Sequence, residues 1–186
     1  MIKTQLVAAS VISKVLAGAS LTGVLQEVWR ADPALSRQQR GAIQDLSYGV
    51  LRFYGQLEAI LSLLLKKSLR DKSLHHLLLV SLYQLQYSKA LPHAVVDQAV
   101  SASRSFVHGK GMQGLVNAVL RSFIRQRDSL LKRAAENEVG RYSHPQWWID
   151  KLRWQYPQYF QAILEADNKR PPMTLRVNQR KISVET

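Results

Sequence analysis

The chain of 186 residues contains no cysteine. This excludes disulfide bonds, thiolate metal sites and a cysteine nucleophile from the chain. Long apolar runs are also missing, because the longest apolar cluster, residues 57–65, contains Glu58 and is far shorter than the ~20 residues of a membrane span. We therefore expect no membrane span and no thiolate metal site, and neither a membrane nor a metal is the partner that we favour for this chain.

Catalytic arrangements are equally scarce in the sequence. We find no paired carboxylates, nucleophile triad or metal cluster with a convincing spacing. His75 and His76 are adjacent, so on a helix they point about 100° apart and cannot share a metal as an i, i+4 pair does. His144, before a proline, is more simply a helix-entry or packing residue. The sequence therefore predicts no catalytic residue.

Acidic residues are few: 13 Asp and Glu stand against 26 Lys and Arg, which gives a net charge of +13. This charge exceeds what solubility alone asks of a small domain and indicates an acidic partner. Nucleic acid is favoured, because neutralising phosphates releases counterions. An anionic membrane surface and an incidentally basic protein are the alternatives.

The first residues resemble a secretory signal only weakly. Thr4, Gln5 and Lys14 interrupt the apolar core that such a signal needs. The segment instead predicts an amphipathic helix of a cytoplasmic protein. Its apolar and small residues form one helical stripe: Ile2, Leu6, Ala9, Ser13 and Leu16.

Helical periodicity continues along almost the whole chain, with short breaks between helices. Ser36 and Gln39 form a capping box, Asp71 caps a later helix, and Pro92 suits the first residue of another. The run 74–85 is apolar on most sides, which predicts a central helix. Breaks are predicted at Gly18, Asp32–Pro33, Gly55 and Gly109–Gly111.

Short connections between helices predict an all-α antiparallel bundle over residues 1–140. After it, residues 141–186 contain four prolines and many aromatic residues, followed by a first strand at 173–177. We interpret this segment as the truncated start of a second, α+β domain, so the chain reads as the front of a longer protein. The tryptophans are expected to be packing anchors rather than base-stacking residues.

Basic residues cluster between Asp97 and Glu136, where Asp128 is the only acid. On a helix Arg121, Arg125 and Lys132 share one face, which suits phosphate binding better than a merely solvated surface. The Gly109–Gly111 loop lacks the preceding strand and the Ser or Thr of a nucleotide-binding loop, so an RNA phosphate is its more sensible ligand. The candidate RNA contacts are Lys3, Arg104, Lys110, Arg121, Arg125 and Lys132.

Asn117 is predicted to make a buried hydrogen bond between helices, and Asp97 is predicted to bond either the backbone or Asn117. Both residues lie among apolar neighbours in the sequence. Neither is predicted to be a catalyst.

Two sets of motifs carry a family resemblance. Leu79–Leu85, Pro92–Val100 and Gly114–Arg121 resemble the NusB fold, an all-helical RNA-binding domain. The runs Tyr142–Trp148 and Pro171–Asn178 are similar to bacterial ribosomal RNA small subunit methyltransferases that act on the C5 atom of cytosine.

The resemblance implies a parent enzyme that binds S-adenosylmethionine and methylates a cytosine of 16S ribosomal RNA. In that family the chemistry uses two cysteines and a glycine-rich cofactor loop further along the chain, so no cofactor is expected here. NusB-type proteins contact RNA through arginines of the first helix, whereas this one offers only Lys3 and Lys14. The RNA surface is therefore expected to lie toward Arg121.

Two other functions compatible with the sequence are a free-standing transcription-antitermination module, which binds RNA and a ribosomal protein, and a protein-interaction domain with incidental charge. The segment after Gly140 argues against the first. Steep salt dependence of RNA binding would argue against the second.

Overall fold

The computed structural model describes residues 2–106, 111–169, 171–172, 174 and 176–181. Within these ranges every regular element is a helix. The ten helices are α1 (Ile2–Leu16), α2 (Leu21–Ala31), α3 (Arg37–Arg52), α4 (Tyr54–Leu64), α5 (Lys72–Tyr87), α6 (Pro92–Ser103), α7 (Gln113–Ala134), α8 (Glu138–Tyr142), α9 (Gln146–Gln155) and α10 (Phe160–Asp167). The predicted all-α bundle is confirmed.

The central helix is α5, which packs against α1, α3, α4, α6 and α7. Every residue from His76 to Leu85 is buried. The carboxylate of Asp71 caps the helix by accepting hydrogen bonds from the backbone N–H groups of Ser73 (2.9 Å) and Leu74 (3.2 Å). The prediction of a central helix capped by Asp71 is confirmed.

The buried face of α1 differs from the predicted stripe. Ile2 and Leu16 are 40% and 43% exposed. Gln5 is fully buried, and its side-chain amide donates to Oε1 of Gln84 at 2.7 Å. The prediction from the apolar pattern was wrong here because a polar residue such as Gln5 can occupy a core position when its side chain has a buried hydrogen-bond partner. The buried residues of α1 are Thr4, Gln5, Ala8, Ala9, Val11 and Ile12.

The start of α3 is as predicted, but its end is not. Gln39 N–H donates to Ser36 Oγ (3.2 Å) and Ser36 N–H donates to Gln39 Oε1 (2.9 Å), which completes the capping box. The break between α3 and α4 lies at Phe53, whose φ of −104° and ψ of 22° are non-helical. The predicted break at Gly55 was wrong, since Gly55 is a buried residue of α4.

Gly55 and Gly140 allow α8 to lie directly on α4. A Cβ atom on Gly55 would come within 2.5 Å of the Val139 carbonyl oxygen. One on Gly140 would come within 3.1 Å of Cβ of Ala59 on α4, and within 2.1 Å of the Ala134 carbonyl oxygen at the end of α7. Tyr142, the last residue of α8, packs in a separate apolar cluster with residues of α9 and α10: Ile149, Leu152 and Leu164. The predicted boundary after residue 140 thus falls inside a helix that contacts the bundle at one end and the α9–α10 hairpin at the other.

The predicted strand at 173–177 lies partly outside the described residues, which exclude 173 and 175. Residues 174, 176 and 177 are described and are not in a strand. A strand requires a second strand as the partner for its backbone hydrogen bonds, and no strand occurs in the part of the chain described here.

None of the helices described is both long and apolar enough to cross a lipid bilayer.

Candidate nucleic-acid interface

The helix α7 presents a basic face because its apolar residues recur at helical spacing. These residues are buried against α4, α5 and α6: Val116, Val119, Leu120 and Phe123. Arg121 and Arg125, one turn apart, lie on the other side of the helix and are exposed, as predicted.

Local hydrogen bonds orient both guanidinium groups. Arg121 donates from Nε to Oδ1 of Asn117 at 2.8 Å, and Arg125 donates from Nη2 to Oγ of Ser122 at 3.1 Å. Neither arginine forms an ion pair within the described ranges. Each guanidinium therefore keeps N–H donors for an anionic ligand.

The structure corrects the role predicted for Asn117. Its side chain is only partly buried, and it accepts the hydrogen bond from Arg121 on the same helix. Asp97 is exposed. The prediction of a buried bond between helices was wrong, because the apolar neighbours of both residues in the sequence lie on another side of their helices.

A groove of ≈ 440 Å³ separates the start of α6 from the middle of α7. Its floor and rim combine apolar and basic side chains: Pro92, His93, Val96, Arg121, Ile124 and Arg125. A ligand in such a groove could place phosphate groups against the basic side chains and an apolar group against the apolar side chains.

Beyond the groove α7 does not continue as a regular helix. Gln126 has non-helical dihedral angles (φ −115°, ψ 18°). The next residue, Arg127, donates from Nε to Oε1 of Gln86 (2.8 Å) and from Nη2 to the Gln86 carbonyl oxygen (2.9 Å). Lys132 is exposed after this interruption, so the single face predicted for Arg121, Arg125 and Lys132 on a straight helix is broken.

The other candidate contacts lie apart from the groove. Arg104 is exposed directly after α6, about 18 Å from Pro92 along a helix of 12 residues. Lys110 lies outside the described residues. Lys3 forms an ion pair with Asp32, and Lys14 forms one with Glu27 at 3.1 Å. Of the six candidate RNA contacts predicted from the sequence, the described structure thus brings only Arg121 and Arg125 together.

A second basic region was not predicted. The connection from α4 to α5 and the start of α7 enclose a groove of ≈ 930 Å³ with an apolar floor that includes Leu115 and Val119. Lys66, Lys67 and Arg70 line it, whereas the nearby carboxylate of Asp71 is engaged in capping α5. The close spacing of these three cations in the sequence is the feature that would have revealed the region.

Glu58 connects two aromatic side chains at the edge of the bundle. It accepts a hydrogen bond from the Tyr54 hydroxyl (3.1 Å), and its Oε2 atom lies 2.8 Å from Nε2 of His75. Burial, together with the charge of Glu58 and the hydrogen bond to it, raises the pKa of Tyr54 to about 12. Burial opposes ionisation of Glu58. The hydrogen bond and charge of His75, together with the hydrogen bond from Tyr54 and the charge of His76, outweigh burial and lower the pKa of Glu58.

The neighbouring His76 is buried, and burial is the main cause of its lowered pKa, with the charges of His75 and Lys72 adding to it. No cluster of three or more His, Cys, Asp or Glu side chains suited to a metal occurs among the described residues. We interpret the Tyr54–Glu58–His75 contacts as structural.

The segment after the bundle contains both packed and exposed aromatic residues. Trp148 and Phe160 pack on the cluster of Tyr142, but Trp147 and Trp154 are 65% and 81% exposed. The expectation that the tryptophans are packing anchors is wrong for these two, because α9 buries only the opposite face, which contains Ile149 and Leu152.

His144 has the structural role predicted for it. Its Nδ1 atom lies 2.6 Å from the Tyr142 carbonyl oxygen, and its Nε2 atom lies 3.7 Å from Oδ2 of Asp167. Asn168 also donates to the Tyr142 carbonyl oxygen at 2.7 Å. His144 and Asn168 therefore hold the end of α10 beside the end of α8.

Comparison with known proteins matches two families to separate parts of the chain. Residues 2–125 match the NusB family, and residues 144–186 match the family described as "Methyltr_RsmF/B-like, ferredoxin-like domain".

Whole-protein comparison finds relatives named ribosomal RNA small subunit methyltransferase B. The protein from Pectobacterium carotovorum is 39% identical over 176 residues, which are 93% of this chain and 40% of the relative. The protein from Proteus mirabilis is 38% identical with the same coverage, and that from Klebsiella pneumoniae is 38% identical over 181 residues, or 96% of this chain and 41% of the relative. The chain spans about two fifths of the length of these relatives. Since the match to the NusB family covers residues 2–125, which is most of the helical bundle, the chain belongs to the NusB family.

Proposed function

We propose that this chain is the RNA-binding part of a ribosomal RNA small subunit methyltransferase. It contacts RNA through the α6–α7 face, which consists of the basic face of α7 and the groove between α7 and the start of α6. The observation that carries the proposal is the pair Arg121 and Arg125, which are exposed, oriented by local hydrogen bonds and free of ion pairs within the described structure. Two fixed cations one helical turn apart suit successive phosphates of an RNA strand.

The name of the relatives, ribosomal RNA small subunit methyltransferase B, supports the enzymatic part of the proposal. We assign to the whole enzyme the transfer of a methyl group from S-adenosylmethionine to a cytosine of 16S ribosomal RNA in the cytoplasm. The residues of this chain do not fit the cofactor chemistry: the sequence has no cysteine to attack the cytosine ring, and the described residues include no strand that leads into a glycine-rich loop. The contribution of this chain is to bind and position the RNA.

The match of residues 144–186 favours this proposal over a free-standing transcription-antitermination module. The NusB match alone is compatible with either function.

The proposal is tested by the salt dependence of RNA binding. Fluorescence anisotropy with a 16S ribosomal RNA fragment should show a steep loss of affinity between about 50 and 200 mM salt. The double variant Arg121→Glu, Arg125→Glu should bind at least about tenfold more weakly. Its log–log salt slope should be shallower by about 1.4, because about 0.7 is lost for each single-strand phosphate contact.

The matched control is the double variant Arg30→Glu, Arg37→Glu. It changes the net charge by the same amount as the test variant, but the substitutions lie on α2 and α3. Both control arginines are exposed. The control should keep most of the affinity and the full salt slope. Equal losses in the two variants would show that net charge, not the α6–α7 face, governs binding, and would contradict the proposal.

A further inference from the structure

Ile124 is an apolar residue at the edge of the basic face of α7, beside the groove with α6. It lies between Arg121 and Arg125 in the sequence, is 41% exposed and lines the groove between α6 and α7. Pro92 and Val96 line the same groove from α6. A surface that only tracked phosphates would gain nothing from these apolar side chains, since phosphate and ribose offer little apolar area to cover them.

The chemistry of the groove matches a nucleobase together with its phosphate. The arginine side chains provide planar, charged groups that stack on bases and bind phosphate oxygens. His93, exposed at the rim, adds ring nitrogens that hydrogen-bond to a base edge or a phosphate. The volume of ≈ 440 Å³ falls within the ~300–1,000 Å³ typical of sites for small ligands.

We propose that the groove between α6 and α7 receives one unstacked nucleobase of single-stranded or looped RNA, with Arg121 and Arg125 on the adjoining phosphates. An RNA duplex does not fit this role, because its bases are stacked inside the helix and its major groove is too narrow for side chains to read. The inference rests on the proposed function, and it narrows the ligand class to RNA with at least one free base.

The test varies which bases of one RNA strand are present and unpaired, while the phosphates of that strand stay the same. The full chain is titrated with a short oligoribonucleotide, with the same oligoribonucleotide carrying abasic positions, and with its duplex. Wild-type protein should bind the intact single strand about tenfold more tightly than the abasic strand. The duplex should bind no better than the abasic strand.

The decisive variant is Ile124→Ser, which removes apolar surface from the groove without changing the charge. It should weaken binding of the intact strand by about fivefold to tenfold and leave the abasic strand unaffected. Leu16→Ser, a similar change at a side chain that is 43% exposed on α1, should alter neither. Circular dichroism melting of both variants checks that the fold is retained.

Failure of this inference is distinguishable from failure of the proposed function. One outcome is that all three RNAs bind equally and Ile124→Ser has no effect, while the arginine double variant still loses affinity. The groove then does not bind a nucleobase, and the proposed binding of phosphates by Arg121 and Arg125 is retained. If the wild-type chain binds none of the RNAs, both proposals are overturned.

Discussion

At the scale of single residues, Gly49 of α3 has the least room for a side chain among the described glycines, because it lies against Tyr83 of α5. A Cβ atom on Gly49 would lie 2.0 Å from Cζ of the tyrosine ring. The ring has little freedom to move, since Tyr83 is 8% exposed and stacks on Phe53 with ring centroids 6.5 Å apart. Glycine is therefore needed at this position for steric reasons.

Gly49→Ala should lower the free energy of unfolding by about 1–3 kcal/mol, the usual cost of overpacking a core. Gly41 on the same helix is the matched control, because it is exposed and a Cβ atom there would meet nothing within 4 Å. Gly41→Ala should stabilise the protein by about 0.5–1 kcal/mol through helix propensity. Urea denaturation measures both values, and equal effects of the two substitutions would contradict the predicted contact.

The exposure of Arg121 and Arg125 was predictable because helical periodicity alone places them opposite Val116 and Phe123. The positions of Trp154 and Asn117 were not predictable in the same way. An aromatic side chain or an amide is compatible with either a buried or an exposed position, and its partners are fixed only when the helices pack.

At the scale of helices, the start of α5 depends on the side chain of Asp71. Replacing Asp71 with Ala removes the acceptor for two backbone N–H groups and should lower the free energy of unfolding by about 1 kcal/mol. Asp71→Asn keeps a capping oxygen and should cost only a few tenths of a kcal/mol. Chemical denaturation of the two variants tests this prediction, and it fails if Asn is as harmful as Ala.

Most helix boundaries follow from caps and breakers that are local in the sequence, such as Ser36, Asp71 and Pro92. The junction between α3 and α4 does not, because Phe53 has no sequence signature of a break. Glycine is needed at position 55 because this residue contacts α8, which lies more than 80 residues away in the chain. The buried face of α1 was mistaken for a related reason, since the burial of Gln5 depends on Gln84 of a distant helix.

At the scale of the whole molecule, the excess of basic residues is spread over several surfaces. Arg121 and Arg125 frame one groove, Lys66, Lys67 and Arg70 line another, and Lys3 is compensated by Asp32. The sequence predicts the total charge and the RNA partner class. It does not predict which cations are adjacent, because that depends on how the helices pack and on the break in α7 at Gln126.

The central claim, that RNA is bound on the α6–α7 face, is tested most directly by nuclear magnetic resonance. The backbone amide signals of the isotopically labelled chain are followed while a single-stranded 16S ribosomal RNA fragment is added. The largest shifts are predicted at the start of α6, around His93, and in the turn from Arg121 to Arg125. Shifts centred instead on α2 and the start of α3, or no shifts at all, would contradict this account.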